Sequence, residues 1–80
     1  MTEAEYNTLP RTDAKVWAWF DVNGQRIYRQ ASVRRRTGGF LVIGFYWKDA
    51  QDVNTWTSRR THYTHCDIAP RAGTNEPPAR

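Results

Sequence analysis

The sequence predicts a mainly β domain: a small antiparallel sheet of four to five strands, curled towards a partial barrel, with one short helical turn. Three observations predict it. Asn23-Gly24 separates two stretches in which apolar and polar side chains alternate. Gly38-Gly39 precedes a nearly continuous apolar run over 40–47. Aromatic residues make up 14% of an 80-residue chain, so a few large rings can fill the thin core that so short a chain allows.

The first strand is expected over 15–22, KVWAWFDV, which is rich in β-branched and aromatic residues. Asn-Gly supplies the two positive-φ positions of a type I′ turn, and the return strand covers 25–36. A two-residue turn sets the register: Val22 faces Gln25, Asp21 faces Arg26, Phe20 faces Ile27, Trp19 faces Tyr28 and Val16 faces Ala31. One face then carries Val16, Ala18, Phe20, Val22, Ile27, Ala31 and Val33, interrupted by Arg29, and is the core face. The other mixes rings with cations: Lys15, Trp17, Trp19, Arg26, Tyr28, Arg34 and Arg36, with Asp21.

The run over 40–47 reads as a central strand covered on both faces, and Gly44 within it marks a bulge or a close backbone approach. A three-residue turn with a glycine bulge at 37–39 places Leu41, Ile43, Phe45 and Trp47 on the core face, the better hydrophobic match. A two-residue turn places them with the cations. The polar stretch over 48–55 holds Asp49 and Asp52, a helix-start pattern, and is expected to form the short helical turn. The β-favouring residues over 56–68 form one long strand or a hairpin.

Both ends differ from this middle. Residues 1–12 are polar and are expected to be a flexible tail. Residues 70–80, PRAGTNEPPAR, contain three prolines and no large apolar residue, and are expected to be a disordered tail. The folded unit is placed at 13–69.

The chain carries a net charge of +4. Ten of its twelve basic residues are arginine, a planar fork that bonds phosphate or carboxylate through two N–H groups and stacks on rings. This excess implies an anionic partner, either a nucleic acid or an acidic protein surface. One cysteine, Cys66, cannot form a disulfide within the chain. No apolar run is long enough to span a membrane, and no signal-peptide pattern is present, which implies a cytoplasmic setting, the host cytoplasm if the chain is phage-encoded.

The candidate binding residues are Lys15, Arg26, Arg34, Arg35, Arg36, Arg59 and Arg60 for the anion, with Trp17, Trp19 and Tyr28 as stacking rings. The same rings also fit a second core face, and the arginines fit a solvated rim; the sequence leaves both open. His62, His65, Cys66 and Asp67 are metal-ligand types, but neighbours on a strand point to opposite faces, so they do not converge. The acids are scattered, and fewer than 60 ordered residues rarely build a catalytic pocket. No enzyme activity, metal or cofactor is expected.

Three resemblances bear on function. The strand Gly39-Phe40-Leu41-Val42-Ile43-Gly44-Phe45 is similar to the aromatic strand of RNA-recognition and cold-shock domains, but departs from the basic-Gly-aromatic pattern of the former. Strands joined by Asn23-Gly24 and Gly38-Gly39, followed by 49–56, resemble the arm-type DNA-binding domains of phage integrases, in which a three-stranded sheet enters the major groove. As a short, aromatic-rich, single-domain chain with polar ends, the protein also resembles the small inhibitors of phages and mobile elements, including anti-CRISPR proteins. That resemblance implies a non-enzymatic inhibitor that docks on a host nucleoprotein, such as a CRISPR effector, and blocks its nucleic-acid site. The alternative is a small basic β-sheet module that binds DNA or RNA directly.

Overall fold

The two glycine-containing turns fold as their residue types require. Asn23 and Gly24 take φ of 51° and 75°, and Gly38 and Gly39 take 58° and 89°, so each closes a tight hairpin of the primed-turn kind. A computed structural model describes residues 1–71. It contains strands β1 (Lys15–Val22), β2 (Gln25–Thr37), β3 (Phe40–Lys48) and β4 (Asn54–His62). They form one open antiparallel sheet in the order β1-β2-β3-β4. All five pairs expected between β1 and β2 are present, from Val22 opposite Gln25 to Val16 opposite Ala31.

The β2–β3 turn corrects the expectation. Thr37 faces Phe40, so the turn has two residues and no bulge. The extra residue sits further along, at Arg34, where the register shifts between Val33 and Arg35. This bulge has the effect the turn was expected to have. It sets Ile43 opposite Val33, and Leu41 and Ile43 become fully buried. The cost of leaving two large aliphatic side chains in water, about 1.5–3 kcal/mol each, explains why the chain takes the bulge.

The inner face holds the core: Val16, Ala18, Phe20, Ile27, Ala31, Leu41 and Ile43, joined by Leu9, Ala14 and Cys66. Phe45 meets Phe20 edge-on, with ring centroids 4.7 Å apart. Arg29, which interrupts the inward apolar pattern of β2 between Ile27 and Ala31, is half-buried and donates from Nη1 to the Tyr28 carbonyl at 3.1 Å. The sheet is strongly curled. The Arg59 guanidinium of edge strand β4 lies 5.5 Å from the ring centroid of Phe20 on the opposite edge strand, β1.

Three further expectations change. The stretch after β3 forms no helix. Asp49 instead accepts at Oδ1 from the backbone N–H of Gln51 and Val53, both at 2.9 Å, and Asp52 turns the chain with φ of 61°. The aspartates close a hairpin loop because a short carboxylate satisfies loop donors locally. The stretch 56–68 is neither one strand nor a hairpin. β4 ends at His62, a 3₁₀ turn covers Tyr63–His65, and Asp67 then pairs with Trp17 of β1. Finally, residues 1–12, read as a tail, carry helix α1 (Glu3–Asn7). Thr2 and Glu5 form its capping box. Leu9 is buried, Tyr6 stacks on Tyr63 at 5.0 Å, and the Met1 ammonium donates to the carbonyls of Tyr63 and Cys66. Polar composition concealed two apolar residues, Met1 and Leu9, and the Tyr6 ring, enough to seat a single helical turn. The C-terminal tail expected over 70–80 lies outside the described residues from position 72 onwards.

Gly44 is required by close packing. A Cβ there would sit 2.7 Å from the Thr57 carbonyl oxygen and 2.8 Å from Cε2 of Trp56, and closer still to Cζ2. The carbonyl belongs to the paired strand β4 and cannot retreat without breaking the ladder. Gly44→Ala is therefore expected to lower stability by about 1–3 kcal/mol, read as a lower denaturation midpoint, and to change the near-UV circular dichroism of Trp56.

Candidate functional site

The outer face of the sheet divides into a covered half and an open half. In the covered half, Trp17 and Trp19 flank Tyr28, with centroids 5.6 and 5.1 Å from its ring. The segment 67–71 lies over them. Tyr28 donates its hydroxyl to Oδ2 of Asp67 at 2.6 Å, and the Arg71 backbone N–H donates to the Tyr28 oxygen at 3.2 Å. Tyr28 is only 1% exposed, so it is a core residue and not a stacking platform. Trp17 and Trp19 are half-buried around it.

The open half lies across β2, β3 and β4. With Leu41, Ile43 and Phe45 turned inwards, alternation turns Phe40, Val42, Gly44 and Tyr46 outwards. On β4 the outward set is Trp56, Ser58, Arg60 and His62, each opposite one of them. The bulge adds Arg34 and Arg35. A regular strand would send these neighbours to opposite faces; the extra residue lets both reach this one. Arg34 extends over Trp56, 5.3 Å from its ring centroid, and Arg60 lies over Phe40 at 4.3 Å. Arg35 and Arg60 flank Val42 on either side. Tyr46 packs 4.9 Å from Trp56, and Phe40 packs edge-on to His62 at 5.1 Å. Phe40 and Tyr46 remain 39% and 65% exposed.

Among the described residues, no carboxylate forms an ion pair with these arginines. The ion pairs among the described residues are Lys48 with Asp52 at 3.4 Å and Arg71 with Asp67 at 3.0 Å. The face therefore combines uncompensated guanidinium groups with large rings, and each stack holds a cation in place at little cost in side-chain freedom.

The remaining candidates do not gather here. Arg36 faces Leu41 on the inward side of the strand and reaches only the rim, where it lines a small hollow with Arg35, Phe40 and Arg60. Lys15 lies on edge strand β1 and donates to Ser32 Oγ at 2.8 Å. Arg26 covers Trp19 at 5.1 Å, and Arg59 points inwards; both border the seam between β1 and β4. Sequence reasoning missed Phe40, Tyr46, Trp56 and His62 as members of the outer face. The signal was available: once Leu41 and Ile43 are assigned to the core, alternation sends Phe40 and Tyr46 the other way.

Cys66 is fully buried in the core, away from this face. Burial pushes its thiol up to about 11, against an opposing pull from the Arg59 guanidinium and the N-terminal ammonium. It is held as a thiol, the unreactive form. Burial, and then the hydrogen bond to the Asp67 carboxylate, push the Tyr28 hydroxyl from 10.0 up to about 12. Both groups are raised above their unfolded values, so both favour the folded state while protonated. Stability is thus expected to hold up to about pH 9 and to fall as pH rises from 9 to 12. Each shift corresponds to at most about 2–3 kcal/mol. Thermal melts across that range, with Tyr28→Phe removing the upper part of the loss, check it.

No protein-family model, no curated protein and no solved structure matches this chain. Among the described residues, no helix is long and apolar enough to cross a membrane.

Proposed function

We propose that this chain is a non-catalytic binding protein whose open arginine-aromatic face docks onto an acidic surface of a host nucleoprotein, a CRISPR effector being one such target, and blocks its nucleic-acid site. The observation that carries this reading is the paired stacking of Arg34 on Trp56 and Arg60 on Phe40. Arginine, tryptophan and tyrosine are the residue types that dominate binding energy at protein interfaces. Here they are arranged before any partner arrives, which reduces the ordering cost of association.

The same stacks favour a protein partner over a nucleic acid. A base needs a free ring face on which to stack. Trp56 has Arg34 over it and packs against the Gly44 backbone, and Phe40 has Arg60 over it. Their guanidinium N–H groups, by contrast, remain available to carboxylates.

The test is affinity capture from a host lysate with and without nuclease. The expected result is a specific nucleoprotein, retained after nuclease treatment and released by raised salt. Loss of the captured material on nuclease treatment, together with tight, steeply salt-dependent binding of the purified protein to random DNA or RNA, would instead identify a direct nucleic-acid binder. Recovery of neither would remove the reading.

A further inference from the structure

The curled sheet is not closed. Strands β1 and β4 are its two edges, and the segment after the 3₁₀ turn pairs with β1 across the gap. Trp17 N–H donates to the Asp67 carbonyl at 2.6 Å, and Asp67 N–H donates back at 2.8 Å. Beyond this single pair the seam opens into a cleft of about 390 Å³. Arg26 and Trp19 line it from the β1–β2 hairpin, Arg59 from β4, and Thr64, His65 and Arg71 from the chain that follows.

Three guanidinium groups thus border one cleft in a small molecule, although like charges repel at such range. Among the described residues, the carboxylate beside them is Asp67, which is shared between Arg71 and the Tyr28 hydroxyl. Arg26 and Arg59 have no carboxylate partner among the described residues. Arg59 carries the decisive feature: its Nε is buried and makes no hydrogen bond. An orphaned buried donor on a charged group is costly and calls for an explanation. The positions are also fixed in advance. Arg59 is held over Phe20 and Arg26 over Trp19.

We propose that this seam is a binding site for a phosphate group, either free or as a monoester. Phosphate offers several acceptor oxygens at once, which suits guanidinium N–H groups arriving from different strands, and a small outward turn of the Arg59 guanidinium would give its Nε–H, which solvent does not reach in the free protein, the acceptor it lacks. Thr64 lines the cleft as well, its hydroxyl 3.0 Å from His62 Nδ1. The cleft is larger than a bare phosphate requires, so it has room for the substituent of a monoester. The site lies away from the stacks of the open face and does not depend on their role.

The test follows the Arg59 Nε–H resonance of the full chain by NMR during titration with inorganic phosphate, and in parallel with AMP. Sodium chloride at matched ionic strength is the control. The expected result is a saturable shift with phosphate and none with chloride, accompanied by a rise in Tm at saturating phosphate. Tighter binding of AMP would assign the site to a nucleotide; equal binding would assign it to the phosphate alone. Arg59→Met keeps the packing over Phe20 and is expected to weaken binding about tenfold. Arg26→Ala, at an exposed position, gives an independent loss should the Arg59 variant fail to fold. An Arg59 Nε–H resonance that ignores phosphate, or follows chloride equally, would overturn the assignment.

Discussion

Tyr28→Ala is expected to cost about 3–5 kcal/mol of folding stability. Tyr28 is the largest of the fully buried side chains. Its removal leaves a void between Trp17 and Trp19, which no longer have a ring to pack against. It also takes away the hydroxyl that ties Asp67 to the sheet. The segment 67–71 covers the ring through that hydroxyl and the Arg71 N–H, so its docking weakens as well. Small single domains have little stability to spare, and a loss of this size removes much of it. Urea denaturation checks the value. Tyr28→Phe keeps the ring and separates the two contributions: about 1–3 kcal/mol for the hydrogen bond, the remainder for packing. A loss below about 1 kcal/mol for Tyr28→Ala would mean that the ring is open to solvent and that this half of the sheet is a surface.

Arg34→Glu combined with Arg60→Glu is expected to weaken partner binding by at least about a hundredfold, because truncating one member of a buried, hydrogen-bonded charge pair already costs about 2–5 kcal/mol and reversal adds repulsion. Folding stability should change by no more than about 1–2 kcal/mol, since exposed cation–ring contacts contribute about 0.5–1 kcal/mol each. Arg36→Glu is the internal control. It belongs to the same arginine run but lies on the inward side of the strand, so its effect on binding should be much smaller. Calorimetry against the captured partner measures all three proteins. Equal losses from Arg36→Glu and the double reversal would show that the run acts as diffuse charge. An unchanged affinity in the double variant would separate the stacks from binding altogether.

Much of the fold was legible because it depends on local chemistry. Asn23-Gly24 determines a turn, the turn determines a register, and the register sorts Val16, Ala18, Phe20 and Ile27 from Trp17, Trp19 and Tyr28. Each step involves residues close in the chain. The bulge at Arg34 was not legible. It has no residue signature of its own, since a bulged position away from left-handed φ accepts many side chains. Its cause is remote: the need to bury Leu41 and Ile43 against a strand whose turn would otherwise direct them outwards. Helix α1 was hidden for a related reason, because its place is determined by Tyr63 and by the carbonyls it meets only after the chain has closed on itself.

The candidate site divides in the same way. The sequence by itself determined that the protein would be a mainly β sheet rich in arginine and rings, since hydrophobic alternation and turn residues act over a few positions. Only the tertiary structure decided which rings meet which arginines. It buried Tyr28 beneath residues some forty positions away, brought Trp56 and Phe40 under Arg34 and Arg60, and sent Arg36 and Arg59 elsewhere. The physical reason is that a strand's own pattern specifies two faces but not their fate. Whether a face is covered depends on what the rest of the chain lays across it, and that is settled by burial and pairing between segments far apart in sequence.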